Sequence, residues 1–243
     1  MPFTFSHPAA VLPLALIPKK WLSVTGLVIG SMTPDFEYFF NMKQNSIYSH
    51  TWGGIFWFDL PLGLILVYLY NSLIKKSIIE NLPQFLNRRF SGSETNSRNL
   101  NKVKDFAIVV FSLVIGIISH IIWDKLTHKT VRFIDEQEHY NIFWEANSVI
   151  GAAIIAAVIL KMPVGRKTQK SNIIFYWLLV SLFTASVVYI RFLATTEFRD
   201  LGVSAISGFF IGLIVASVAD QLKKRRNLRR RVNLGKRKCR IHN

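Results

Sequence analysis

FAIVVFSLVIGIISHIIWDKLTH, residues 106–128, is apolar as far as Ile118 apart from one serine, and then introduces His120, Asp124, Lys125 and His128. About 20 apolar residues in a helix rising 1.5 Å each suffice to cross the roughly 30 Å of hydrocarbon in a bilayer. The stretch therefore has the length and character of a membrane span whose last turns carry ionisable groups. Four further apolar blocks have the same length: approximately Trp52 to Ile74, Ile142 to Leu160, Ile173 to Phe192 and Leu201 to Leu222. The chain is 51% hydrophobic, with a mean hydropathy of +0.30, too apolar for an ordinary soluble domain of 243 residues. The expected fold is all-α: a polytopic helical membrane protein with five spans.

The N-terminal region adds to that count in one of two ways. Apolar runs from Ala9 to Ile17 and from Trp21 to Ile29 are each about half a span and are separated by Pro18, Lys19 and Lys20. They form either a hairpin that dips into the membrane and returns, or a tilted sixth crossing. A hairpin would bring His7 and Asp35 to one side. Residues 1–222 then make a single membrane domain, in which 75–105 is a basic cytoplasmic loop. Within that loop SIIENLPQFLNRRF predicts an interfacial helix, kinked or begun at Pro83.

Charge sets the orientation. The loop after the first long span and the connection KMPVGRKTQK are basic, whereas KTVRFIDEQEHYN and TTEFRD are acidic. The enrichment of Lys and Arg in cytoplasmic loops places the basic segments inside. The C-terminal tail, residues 223–243, then falls inside as well. The formal charge of +16 is concentrated in that tail. Because it directly follows an apolar block, the partner expected for it is anionic lipid; no nucleic-acid partner is expected, as neither a reading fold nor stacking aromatics accompany it. The single Cys239 excludes an intramolecular disulfide, and MPFTFSHPAAVLPLALIPKKW has no charged start or cleavage site of a signal peptide.

On a helix, residues four apart fall nearly on one face, so His120, Asp124 and His128 form a stripe about 12 Å long. Two imidazoles and a carboxylate on one stripe suit a divalent metal, and an Asp at membrane depth needs a partner. Taken singly, each residue has a plainer use in helix packing or interfacial hydration. On the same side, however, lie His7 in TFSHPAA, Asp35 and Glu37 in GSMTPDFEYF, and His50 in SHTWGG. The expected metal-ligand pool is His7, Asp35, His50, His120, Asp124 and His128, with zinc as the expected ion. A carboxylate left over, Asp35 or Glu37, is the expected general base for hydrolysis. Asp59 is a ligand, a residue supporting the ligands, or a packing partner beside Pro61. Glu145, Asn147 and Ser148 begin another span near the same face, where they orient ligands or bond between helices. Arg191 contacts an anion or snorkels to the interface. His139 and His242 are not favoured.

The blocks MPFTFSHPAAVLPL, GSMTPDFEYF, SHTWGGIFWFDLPLG and SHIIWDKLTH resemble, in order, those of the bacterial domain-of-unknown-function family 4184, a group of integral membrane proteins. Their order also resembles that of membrane-bound metal-dependent hydrolases of the YdjM type. That second likeness implies a metal site at His7, Asp35, His50, His120 and Asp124. The chain departs from both after Thr127, where HKTVRFIDEQEHYN stands in place of a Gly/Pro-rich segment. The likeness implies a hydrolase in a bacterial cytoplasmic membrane, and the position of the site just below the outer face points to a lipid or lipid-linked ester as its substrate. The alternatives are a proton or metal-ion transporter, for which polar groups should continue to the inner side, and a non-catalytic scaffold.

Overall fold

The computed structural model describes residues 3–18, 20–92, 102–131, 137–165, 172–194 and 197–241, with the side chains of 92, 128–131, 137–141, 199, 231 and 234–241 outside that description. Among the described residues there are helices and no strands. Five helical segments are long and apolar enough to cross a membrane: Ile55–Asn81, Val103–Thr127, Ile142–Lys161, Ile173–Ala194 and Asp200–Arg230. The chain is thus an all-α polytopic membrane protein.

Before the first span come short elements broken by proline. Helix α1 (Pro8–Val11) passes into a 3-10 turn at Leu12–Leu16 that contains Pro13. A proline cannot donate the backbone bond of a continuing helix, so this run cannot form one uninterrupted rod. The chain returns as α2 (Val24–Gly30), started by Ser23, whose Oγ accepts the Gly26 N–H at 3.2 Å. Pro34 lies in the 3-10 turn Thr33–Asp35 that leads into α3 (Phe36–Asn41), and α3 ends at Met42 in a left-handed conformation, φ 48°. His7 before α1 and Asp35 after α2 both stand beside His120. The two half-length runs therefore go down and come back, as a hairpin does.

The returning arm lies along α7 (Val103–Val131). Gly26 and Gly30 of α2 face the small-residue pair Ser112 and Gly116 of α7. A Cβ on Gly116 would stand 2.5 Å from the Leu27 carbonyl oxygen and 2.7 Å from the Ser31 nitrogen. Small residues four apart let helix backbones approach closely, which is how helices associate where water supplies no driving force. The consequence is local: this contact sets the depth of Ser31 against His120.

The first span is not a uniform helix. It runs through a π-helical turn at Ile55–Asp59, then α4 (Leu60–Leu69), a second π-helical turn at Tyr70–Ile74 and α5 (Lys75–Asn81). Ile78 and Ile79 belong to this extension, with Ile79 buried. The separate helix is α6 (Gln84–Gly92), which follows a break at Leu82 and Pro83. The proline ends one helix rather than kinking a single longer one, because the residue before it is driven to an extended conformation, here ψ 153° at Leu82. From α6, Arg89 donates to the carbonyls of Ile159 (3.4 Å), Leu160 and Met162 (3.2 Å) at the end of α8 (Gln137–Lys161). Its cation thereby satisfies carbonyls that a helix C-terminus leaves without partners.

Helices α9 (Ile173–Ala194) and α10 (Phe198–Ile241) pack along their lengths. Gly208 and Gly212 admit Thr184 and Val180, and the Tyr176 hydroxyl lies 3.0 Å from Ser217 Oγ. Arg191 pairs with Asp200 at 3.5 Å and donates to the Met42 carbonyl, so it ties these helices to the end of α3. At the opposite end of the bundle Lys224 bonds Glu80 and Asp220, Gln221 donates to the Leu73 carbonyl at 2.9 Å, and the Trp177 indole donates to the Asn81 carbonyl at 2.8 Å.

Candidate metal centre

Five of the expected residues converge at the end of α7. His120 and Asp124 project from consecutive turns of that helix. His7 and Asp35 arrive on the two arms of the hairpin, and His50 comes from the loop before the first span. His7, Asp35, His120 and Asp124 are buried, and among the five side chains His50 is the most exposed, at 15%. The centre is a closed nest with one open edge, at His50.

All three imidazoles turn Nε2 towards the carboxylates and hold their other nitrogen against a fixed partner. Nδ1 of His120 is 2.8 Å from the Ser31 carbonyl oxygen, Nδ1 of His50 is 2.8 Å from Ser49 Oγ, and Nδ1 of His7 is 3.3 Å from the Thr4 carbonyl oxygen. A carbonyl partner, as at His120 and His7, keeps the proton on Nδ1 and aims Nε2 as a ligand; at His50 the Ser49 hydroxyl fixes the ring orientation and can donate or accept.

Distances within the nest are informative. His50 Nε2 and His120 Nε2 are 3.3 Å apart, and each is 3.4 Å from Asp124 Oδ2. Asp35 Oδ1 stands 3.5 Å from His120 Nε2 and 3.6 Å from His50 Nε2. These are long for charge-assisted N–H···O bonds, which run at about 2.7–2.9 Å. Neither Asp35 Oδ1 nor Asp124 Oδ2 is hydrogen-bonded among the described residues, although both are buried. Ligands about 2.05 Å from an ion at tetrahedral corners stand about 3.3 Å apart. Cis ligands of an octahedral ion with bonds of about 2.1 Å would stand about 3.0 Å apart. The three donors His50 Nε2, His120 Nε2 and Asp124 Oδ2, 3.3–3.4 Å apart, thus have the spacing of three tetrahedral corners. His50, His120 and Asp124 form one group that could hold an ion, and His7, Asp35 and His120 form another. His7 has a second possible use: its Nε2 meets the other oxygen of Asp124, Oδ1, at 3.2 Å, and its ring stacks on that of His120 at 3.9 Å.

Electrostatics agree with a demand for positive charge. Burial acts to raise the Asp35 carboxyl, but the facing imidazoles of His120 and His50 outweigh it and hold the group below its ordinary range. Burial acts to lower the His50 imidazole, but the facing carboxylates of Asp124 and Asp35 outweigh it and raise the group.

Glu37 is buried nearby but lies outside both donor groups. Its carboxylate accepts the backbone N–H of Ile47 (2.8 Å), Tyr48 (3.1 Å) and Ser49 (2.8 Å). These bonds outweigh burial and lower its pKa. Through Ser49 the clamp reaches His50. Asp59 is fully buried in the first π-helical turn, and neither of its oxygens is hydrogen-bonded. Ser148 accepts the Phe3 N–H through Oγ at 2.9 Å, while its carbonyl accepts from Ser6 Oγ at 2.9 Å. Next to it, Gly151 leaves room for Ser6. Helix α8 therefore holds the segment that carries His7. Glu145 is exposed, and Asn147 bonds its own helix at the Phe143 carbonyl. The side chains of His128 and His139, and all of His242, lie outside the described residues.

Sequence reading did not find the outer partners Ser31, Thr4 and Ser49. The first two act through backbone carbonyls, which any residue supplies. Ser49 beside His50 was the one visible signal.

Fold and site together define a polytopic membrane protein with a buried His/Asp nest at one end of its bundle. The chain belongs to the family described as domain of unknown function DUF4184, whose model matches residues 1–218. That match takes in every residue of the nest. No curated protein and no solved structure matches the chain.

Proposed function

We propose that this protein is a membrane-embedded, metal-dependent hydrolase. In this reading His50, His120 and Asp124 hold a zinc ion, Asp35 is the general base, and the substrate is an ester- or phosphoester-bearing lipid. The observation that carries it is the convergence of His50, His120 and Asp124, with donor atoms 3.3–3.4 Å apart, at a buried point faced also by Asp35. Two imidazoles with a carboxylate suit zinc better than magnesium, which takes oxygen ligands.

Each residue then has a task. A zinc ion would lower the pKa of a bound water to about 7 and polarise the bond to be cleaved. Asp35, 3.5 Å from His120 Nε2 and 3.6 Å from His50 Nε2, stays off the ion in this reading, leaves the fourth corner to water and accepts the proton of the attacking water. His7 holds Asp124 from behind. Glu37, with three backbone donors already on its carboxylate, positions Ser49 and His50. Around the open edge stand Tyr48 and Trp52, and Lys125 lies over the Trp52 ring at 4.3 Å. Amphipathic rings of this kind settle at headgroup level, where a lipid ester would be presented. The count of Lys and Arg in the loops puts this end outside and the C-terminus in the cytoplasm, and the likeness of the sequence blocks to bacterial proteins favours a bacterial cytoplasmic membrane.

A transporter for protons or metal ions would need polar groups to continue through the bundle. Below the nest lie the buried side chains Leu27, Val67, Val109 and Leu113, with the uncharged Ser112 and Ser23 among them, before the charged groups around Lys224 at the other end. A layer without buried charge favours a one-sided site.

The test is metal content by elemental mass spectrometry on detergent-purified protein, wild type against His120→Ala/Asp124→Ala. Near-stoichiometric zinc that disappears in a variant of unchanged helical content is expected. No metal in either protein after supplementation would overturn the proposal. With metal bound, Asp35→Asn separates catalysis from scaffolding: it should abolish ester cleavage and leave the ion in place.

A further inference from the structure

At the end of the bundle opposite the nest, a cavity of about 560 Å³ lies between the start of α9 and the far half of α10. One wall is apolar: Phe175, Ala219 and Leu222. The other carries Lys223, Arg226 and Arg230, and no carboxylate lines it. Residues 219, 222, 223, 226 and 230 recur at helical spacing, so one face of α10 passes from apolar to cationic where its apolar segment ends. Among the described residues, none of these three cations is paired with a carboxylate. Lys223 is held over the Phe175 ring at 5.8 Å.

Two features make this groove more than a solvated charge run. Lys224, on the neighbouring face, bonds Glu80 and Asp220, and Gln221 bonds the Leu73 carbonyl, so α10 is fastened to the first span beside the groove. The start of α9 also borders the groove, at Asn172 and Phe175. There the Asn172 side chain accepts the Phe175 N–H.

We propose that this groove binds the phosphate headgroup of an anionic phospholipid, with its acyl chain along Phe175, Ala219 and Leu222 and its phosphate on Lys223, Arg226 and Arg230. Apolar wall and cations meet in the order in which an acyl chain and its phosphate would meet them. A free phosphate would use the cations and leave the apolar wall uncovered. A nucleic acid would need more stacking surface than the single Phe175 ring. The site does not depend on the metal centre.

The test is lipid retention by native mass spectrometry after extraction from vesicles of phosphatidylcholine with phosphatidylglycerol. Wild type should keep phosphatidylglycerol in preference. Arg226→Gln/Arg230→Gln should lower that retention by about tenfold or more, since each cation near a membrane surface contributes about 1 kcal/mol. Arg225→Gln/Arg229→Gln removes the same charge from residues that do not line the cavity, and should change retention by much less. Equal losses in the two variants would show diffuse attraction and overturn the site. Displacement of the lipid by inorganic phosphate, or by a short single-stranded RNA at moderate salt, would overturn the choice of ligand.

Discussion

Replacing Glu37 by Gln tests whether the nest is positioned from outside its donor set. The carboxylate accepts Ile47 N–H on Oε1 and Ser49 N–H on Oε2, both at 2.8 Å, and Tyr48 N–H on either oxygen. A glutamine amide keeps one acceptor and turns an NH2 against the other donors, so at least one charge-assisted bond is lost and the charge with it. Such a bond contributes about 1.5–3 kcal/mol. If that loss falls on the placement of His50, metal affinity drops by about one to two decades at 1.4 kcal/mol per decade, in line with the 10–100-fold typical of residues that orient ligands. The assay is a competition titration of metal-stripped protein with a chromophoric zinc chelator. An affinity unchanged within about twofold would refute the positioning chain from Glu37 through Ser49 to His50. Unchanged affinity with abolished ester cleavage would instead make Glu37 the general base.

The same carboxyl predicts a pH dependence. Its folded pKa is lowered from 4.5, so its contribution to stability is complete above that value and is lost as pH falls through the lowered one. The thermal midpoint of metal-free wild type should exceed that of Glu37→Gln at neutral pH, and the gap should close on acidification; a constant gap would count against it. Gly116→Ala would set a Cβ 2.5 Å from the Leu27 carbonyl oxygen. Overpacking of this kind costs about 1–3 kcal/mol, and it should lower the thermal midpoint in detergent and weaken zinc binding together, because Ser31 moves away from His120. Asp59→Asn should leave metal content intact and the midpoint equal or higher, since a buried carboxylate without a hydrogen bond is replaced by a neutral amide. A marked loss of stability in that variant would mean that Asp59 has a partner.

Much of the architecture was legible because the bilayer imposes a length on each span and a high cost on each polar group within it. Apolar runs of span length therefore marked the five long helices, and the ionisable residues at the end of residues 106–128 marked the nest. In the sequence the N-terminal run, broken by Pro18, fitted a hairpin or a tilted crossing, and only packing resolved the choice. Gly26, Gly30 and Gly116 let α2 return alongside α7, bringing His7 and Asp35 to the same imidazole. The extension of the first span to Asn81 was not legible, since Lys75 and Lys76 read as a loop start yet continue a helix that α10 braces.

What the sequence determined by itself was which residue types stand at membrane depth and how far apart along each helix. Tertiary structure alone decided their geometry: which oxygen of Asp124 faces His7 and which faces His50 and His120, that Glu37 clamps backbone while Asp35 enters the nest, and that Lys223, Arg226 and Arg230 share a groove with Phe175. The physical reason is that helix periodicity orders residues along one element. Distances between elements depend on backbone approach and on hydrogen bonds to main-chain carbonyls such as that of Ser31, which leave no mark in residue type.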